Sequence, residues 1–311
     1  MILLCRQYRK PLSELMSTRH LPVLLNESVK ALHAERGGVF VDATLGGGGH
    51  TEKILEANPK NIVIGIDRDA QAIERTKKRL AKYGERVIYV HAPFSSIESV
   101  VNEHAKGRVD GILADLGVSS DQIEDRDRGF SFMQDGPLDM RMDATTQKAS
   151  AASLLAEASE DEIEHWLREY GEERFARKIA HAIVAQRRFG QLLRTTQLAD
   201  LVERTVSRGM GGLHPATRTF QAIRIAVNRE LDEASMLLEC APRLLADGGR
   251  LAVISFHSLE DRLVKNSFRN EARSVDFANV YKKGILPSAV EVRSNSRSRS
   301  ARLRVLSRET I

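Results

Sequence analysis

The sequence predicts an α/β fold, a parallel sheet with an all-helical domain inserted into it. Three observations carry this reading. Short apolar runs recur with helical patterns between them. Three of those runs stop at an aspartate, Asp42, Asp67 and Asp115. From about Asp143 to His214 the alternation breaks and only helical periodicity remains. Strands separated by helices of this length form βαβ units, and the sheet they build is parallel.

The elements follow in order. Val39-Phe40-Val41 is a short buried strand, closed by Asp42 and the loop Thr44-Leu45-Gly46-Gly47-Gly48-Gly49, with a helix from about His50 to Ala57. Asn61 to Ile66 is a second apolar strand ending at Asp67, and Ala70 to Tyr83 is a helix that turns Ala72, Ile73, Leu80 and Ala81 to the sheet. Arg86 to Val90 gives a third strand. Gly111 to Ala114 gives a fourth, ending at Asp115. After the helical stretch, a helix over Leu231–Leu245, the turn Asp247-Gly248-Gly249 and the run Leu251 to Phe256 restore the pattern. Near the end, Leu303 and Val305 alternate with Arg302 and Arg304, as in a half-buried strand that shows arginines on one face.

The expected division is 20–142 with 215–311 as the sheet domain and 143–214 as the helical insert, with 1–19 a poorly ordered extension. A length of 311 residues suits about two domains. The first twenty residues carry Arg6, Arg9, Lys10 and Arg19 against a single Glu14. Either a mitochondrial presequence or a misassigned start ahead of Met16 explains them, and the second is the expectation. No apolar run approaches the roughly 18 residues of a membrane span. Cys5 and Cys240 stand far apart, which excludes a disulfide framework or a cysteine zinc cluster and fits a reducing cytoplasm. No other metal-ligand cluster is present in the sequence. A net charge of +5 leans towards polyanionic partners, and Arg293, Arg297, Arg299, Arg302, Arg304 and Arg308 concentrate it at the end of the chain.

Ligands of open α/β sheets bind outside the carboxyl ends of the strands. The glycine cluster lies there, where bare backbone can approach a ligand closely. It is not a nicotinamide fingerprint. Counted from Gly46 or Gly47, the third glycine of G-x-G-x-x-G is replaced by Thr51 or Glu52. No Gly-Lys-Ser/Thr follows, so it is not a P-loop either. Asp67 can accept hydrogen bonds from both ribose hydroxyls of an adenosine, and Phe94 stands where an adenine could lie against its ring. Dinucleotide and S-adenosylmethionine sites both use an acid of this kind. Together these residues indicate a nucleoside cofactor.

Longer segments narrow the choice. They include His20-Leu21-Pro22-Val23-Leu24-Leu25, Phe40 to Gly46 with Gly48-Gly49-His50, Asp110 to Ser120, Arg128-Gly129-Phe130-Ser131-Phe132, and Asp135 to Asp143. Further matches are Tyr170-Gly171-Glu172-Glu173, His214 to Ala222, and Ser255 to Arg262. From about His20 to Arg308 the sequence resembles the RsmH (MraW) family of small-subunit ribosomal RNA methyltransferases, from which it departs by an extra Gly47. The resemblance implies a class I, Rossmann-like methyltransferase domain with an inserted helical domain. It also implies methyl transfer from S-adenosyl-L-methionine to N4 of one cytidine in the decoding region of 16S ribosomal RNA. By motif, Gly48, Gly49, His50, Asp67, Phe94, Asp115 and Gln122 would contact the cofactor.

Asp115 is the first catalytic candidate. Many amino-methyltransferases place an Asp-Pro-Pro-Tyr-like motif at this point, and Asp115-Leu116-Gly117-Val118 keeps only the carboxylate. His257, after the fifth strand, could contact the cytosine or a phosphate, or act as a structural hydrogen-bonder. Asp139 and Arg141 could touch substrate or pair with each other. Arg218, Arg224 and the terminal arginines, Arg302 among them, are the expected RNA contacts. The expected partner is 16S ribosomal RNA, within the small subunit and with no membrane. A homodimer and a magnesium ion held through RNA phosphates are left open. Other readings are an amino-methyltransferase acting on another RNA, DNA or protein, a nicotinamide oxidoreductase, and a non-catalytic ribosome assembly factor.

Overall fold

The computed structural model describes residues 22–206 and 214–310. The expectations for 1–19, for Cys5 and for the start at Met1 or Met16 lie outside the described residues. Among these residues seven strands form one sheet: β1 (Val39–Asp42), β2 (Ile62–Asp67), β3 (Val87–His91), β4 (Val109–Asp115), β5 (Leu245–Ser255), β6 (Phe277–Asn279) and β7 (Arg302–Arg308). Their order is β3-β2-β1-β4-β5-β7-β6. The first five run parallel, and β7 returns antiparallel between β5 and β6.

Parallel strands are covered on both faces, so their side chains must be apolar in both directions. Phe40, Val63, Leu113 and Ala252 point to one layer, with the helices Leu25–Ala31 and Gly49–Ala57. Val41, Ile64, Ile112 and Val253 point to the other, under the helices Ile97–Ala105, Glu230–Cys240 and Ser258–Glu271. A further core lies away from the sheet. It gathers Phe130, Leu138, Met140 and Met142 with Leu155, Ile163, Leu167, Ile179 and Leu198, and is closed by Phe220 and Ile223.

The two regions share a corner between two successive helices. The helix Ala216–Asn228 supplies Phe220 and Ile223 to the helical core. Arg229 then takes φ 52°, and the helix Glu230–Cys240 starts in a new direction with Ala234, Leu237 and Leu238 on the sheet. A left-handed arginine is costly by itself. It persists because each helix is anchored in its own core.

Boundaries differ from the sequence reading where glycine intervenes. The helix begun at Ala70 ends at Arg79, and a 3-10 turn over Ala81–Arg86 with Gly84 at φ 55° completes the segment. β5 begins at Leu245, before the Asp247-Gly248-Gly249 turn. Its partner register jumps from Val109↔Leu245 to Gly111↔Arg250, so the turn is a bulge within the strand. The largest correction concerns β7. Its Leu303 and Val305 are fully buried as expected, but so is Arg304 at 2% exposure, because the helix Ser258–Glu271 covers that face. Asp261 on the helix accepts two hydrogen bonds from Arg304, at 2.7 and 3.0 Å. Among the described residues no helix is long and apolar enough to cross a membrane.

Candidate active site

The carboxyl ends of β1, β2, β4 and β5 open on a cavity of about 360 Å³. That lies at the lower end of the range for small-molecule sites. Its walls come from the glycine loop, from Asp67 and Arg68, from Pro93-Phe94, from Asp115 to Ser120, and from Phe256-His257. The corner between the helical core and the sheet adds Gln221, Arg224, Glu230 and Glu233.

The glycine loop is held from both sides. The Gly46 N–H donates to Asp67 Oδ2 at 2.7 Å, the Thr76 hydroxyl donates to the Gly46 carbonyl at 2.6 Å, and Arg79 reaches the Gly47 carbonyl at 2.7 Å. Gly46, Gly47 and Gly49 line the cavity. Gly48, expected at the cofactor, is not among the lining residues. Its φ of 74° makes the turn into the helix, and a Cβ there would stand 2.6 Å from Thr76 Cγ2. Gly49 is bare for another reason, since a Cβ would meet the Pro22 ring at 2.2 Å.

Three aspartates stand at the strand ends, and their surroundings differ. Asp42 is 1% exposed and accepts from the Thr51 hydroxyl at 2.6 Å and the Thr44 N–H at 3.2 Å. Burial raises its pKa, partly countered by His50. It is a structural tie. Asp67 is pushed up to about 6 by burial, against the N–H bonds from Asp69 and Gly46. Each of its oxygens accepts one backbone N–H and keeps a lone pair for a ligand.

Asp115 has the least support. Its backbone N–H donates to the Thr44 hydroxyl at 2.7 Å, which ties β4 to the loop. Among the described residues its carboxyl has only His50 Nδ1 near one oxygen, at 4.0 Å, while Oδ1 is buried without a partner. Burial raises its pKa well above the ordinary value, and Asp42 and Glu260 add to the effect. A buried acceptor left unsatisfied costs about 1–3 kcal/mol. Such a group at the wall of a cavity is a place prepared for something else. His50 keeps its own place, with Nε2 3.1 Å from the Val23 carbonyl.

Gln122 lies at the wall with its amide engaged. Oε1 accepts the Ser119 N–H at 3.0 Å, and Nε2 donates to Asp69 Oδ2 at 3.1 Å. Asp69 in turn holds Arg128 at 2.9 Å and caps the helix Ala70–Arg79. Gln122 therefore braces the loop after β4 against β2. Phe94 reaches the cavity from the turn after β3.

His257 is the N-cap of the helix Ser258–Glu271. Nδ1 accepts the Glu260 N–H at 3.4 Å, and Nε2 lies 3.2 Å from Glu260 Oε1. Glu260 is 2% exposed, and burial alone would raise its pKa. The His257 ring, the Phe256 N–H at 2.7 Å and Arg224 outweigh that and leave it lowered. Sequence reasoning missed Glu260, although a glutamate three residues after a capping position is a recognisable helix start. It missed Gln221, Glu230 and Glu233 too, because their place at the cavity depends on the Arg229 corner.

Several of the expected contact residues have partners within the protein. Asp139 does not line the cavity. It accepts from Arg141 Nε at 2.8 Å and Nη2 at 2.7 Å, and Arg141 also reaches the Gln147 carbonyl. Of the two sequence readings for this pair, the mutual one describes the structure. Arg224 does line the cavity, but Glu230 holds it through two hydrogen bonds of 2.8 Å. Arg218 is exposed and donates to the Glu172 carbonyl at 2.9 Å. Arg302 sits off the cavity, 2.7 Å from the Lys283 carbonyl and 3.7 Å from Asp261.

The residues fit S-adenosylmethionine. A sulfonium cation and ribose hydroxyls would meet an orphaned carboxylate oxygen, a second acid with free lone pairs and a bare glycine loop. A Rossmann-like sheet with these groups at its carboxyl edge defines the class, an S-adenosylmethionine-dependent methyltransferase. Comparison with known proteins narrows this further. Residues 17–309 match the model of the MraW methylase family, and the chain belongs to that family. Relatives called ribosomal RNA small subunit methyltransferase H agree along nearly their whole length. The protein of Synechococcus elongatus is 47% identical over 298 residues, covering 95% of this chain and 97% of its own. That of a Cyanothece species is 49% identical over 289 residues, covering 93% and 94%. The protein of Syntrophobacter fumaroxidans is 44% identical over 310 residues, covering 94% and 97%. The chain is an S-adenosylmethionine-dependent ribosomal RNA methyltransferase.

Proposed function

We propose that this methyltransferase modifies the N4 amino group of a cytidine in the decoding region of 16S ribosomal RNA, with the small ribosomal subunit as partner and the cytoplasm as its compartment. The observation that carries the chemistry is Asp115 Oδ1, buried at the cavity wall with no partner. S-adenosylmethionine supplies a methyl group activated by the sulfonium charge. The acceptor is the difficult partner, because the cytosine amine lone pair is delocalised into the ring. Asp115 accepts a hydrogen bond from N4–H, which lets the nitrogen pyramidalise, and its carboxylate takes the N4 proton as positive charge grows on the amine that gains the methyl. A cation bound beside it draws the raised carboxyl back to its ionised form. Asp67 receives the ribose hydroxyls, and Phe94 packs on the adenine. His50 and Gln122 hold this arrangement from behind.

A target base reaches an enclosed cavity only after unstacking, so splayed RNA is the natural substrate form. The division into 20–142 with 215–311 and an inserted 143–214 belongs to this reading, supported by a helical core separate from the layers on the sheet. The test is transfer of radiolabelled methyl to small subunits lacking the modification, followed by nucleoside analysis. Label in N4-methylcytidine is the expected result. Cofactor binding with no label in RNA would send the search to protein or DNA acceptors.

A further inference from the structure

Of the arginines from Arg293 to Arg308, Arg297 alone lines the cavity. It stands on the short turn Ser296–Ser300, which leads directly into β7. β7 starts opposite the carboxyl end of β5, with Arg302 in register with Ser255. In the sheet order, β4 and β1 separate β5 from β2, the strand that ends at Asp67. At roughly 4.8 Å per strand, β5 and β2 are about 14 Å apart. Arg297 thus enters from the side of the cleft away from the ribose-binding acid.

The turn is fixed in place. Ser298 is fully buried, with its hydroxyl on the Asn295 carbonyl at 2.8 Å. The preceding helix is tied across the molecule, where Glu291 Oε1 accepts the Leu24 N–H at 2.7 Å. On this base the guanidinium has two unequal ends. Nη2 donates to Glu124 Oε1 at 3.2 Å, and Glu124 is 56% exposed. Nη1 is buried and has no partner among the described residues. A donor-only fork with one buried end free is matched in shape and charge by a phosphate, which accepts two parallel N–H bonds. An exposed carboxylate is a weak competitor for the other end.

We propose that Arg297 holds a phosphate of the acceptor RNA beside the target nucleotide. The proposal rests on the RNA-methylating reading above. It assigns the C-terminal turn to fixing the strand from which the base is presented, while Asp115 meets the base.

The test measures binding and not turnover. Small subunits lacking the modification are titrated with the protein across a salt series, and S-adenosylhomocysteine is titrated separately by calorimetry. Arg297→Ala should raise Kd for the subunit about tenfold and flatten its salt dependence by about one phosphate contact, with S-adenosylhomocysteine affinity unchanged. Arg297→Lys keeps the charge and loses the fork, so the salt slope returns and the affinity only partly. Glu124→Gln removes the competitor and should tighten subunit binding, up to about fivefold. The exposed neighbour, changed by Arg299→Ala, should shift Kd by less than about threefold. Unchanged affinity and slope in Arg297→Ala, with Glu124→Gln neutral, would overturn the proposal. So would weakened S-adenosylhomocysteine binding with normal subunit binding, which would give Arg297 to the donor's carboxylate. Wild-type protein that binds the subunit through Arg297 but transfers no label would instead sink the parent reading alone.

Discussion

The carboxyl edge of the sheet and the loop entering the helical layer each present an aspartate from one continuous stretch of chain, and the two are handled in opposite ways. At the sheet edge, Asp115 keeps one buried oxygen without a partner, and its pKa is raised by burial with Asp42 and Glu260 nearby. In the loop, burial also pushes Asp139 upward, but hydrogen bonds from Arg141 outweigh it and leave the carboxyl below its ordinary value. A saturated carboxylate sets the path of a loop. An unsatisfied one at a cavity retains its capacity to bind, and the fold carries the cost of keeping it so. The difference between the two regions is therefore one of unspent hydrogen-bonding valence, not of residue type.

The sharpest break of this comparison is to remove each carboxylate in turn. Asp115→Ala should lower the turnover number about a thousandfold and leave S-adenosylhomocysteine affinity within a few-fold, as read by single-turnover transfer and calorimetry. Appreciable residual turnover would refute the role given to Asp115. Asp139→Asn should keep turnover within about threefold.

A smaller effect is expected at Asp67, which belongs to the same edge but is half satisfied. In the role proposed for it, its ionised form would be the acceptor for ribose hydroxyls, and burial pushes its pKa up to about 6. Affinity should therefore fall as pH falls through that value. Calorimetry at pH 5 and 7.5 should give about a tenfold weaker Kd for S-adenosylhomocysteine at the lower pH. A flat profile would mean that Asp67 does not carry the ribose.

In the loop the effect should appear as stability. Arg141→Ala strands Asp139 and should cost about 1–2 kcal/mol, reduced from the value for a fully buried pair because both side chains are partly exposed. Thermal melting would show it as a drop of a few degrees. His257 tests the boundary between the two kinds of residue. Asn is a good helix cap, so His257→Asn should restore most of the roughly 1 kcal/mol lost in His257→Ala. If turnover recovers with it, His257 is a cap; if only stability recovers, its ring meets the substrate.

The strands were legible because their buried runs end in acids that cannot continue inward, and Asp42, Asp67 and Asp115 mark those ends in the sequence. The glycine loop was legible as a loop at the carboxyl edge of the sheet. Which glycines line the cavity was not, since this depends on the positive φ at Gly48 and on Thr76 from the next helix. The alternation in β7 revealed a strand but concealed its cover. Arg304 reads as an outward cation until Asp261, 43 residues earlier, is brought over it. The Asp139–Arg141 pair left two readings open, because spacing alone does not say whether neighbouring charges turn to each other or to a ligand. Glu230 and Gln221 reach the cavity only through the left-handed corner at Arg229.

The antiparallel return of β7 beside β5 has a consequence for how the enzyme comes into being. The cavity residues from the glycine loop to Gln122 lie early in the chain, whereas Phe256, His257 and Arg297 come late, and the Arg297 turn leads into β7. Because synthesis runs from the amino end, the nascent chain completes the first set of these residues long before the second. A cavity built from both parts of the chain thus takes shape only after the Arg297 turn has been made.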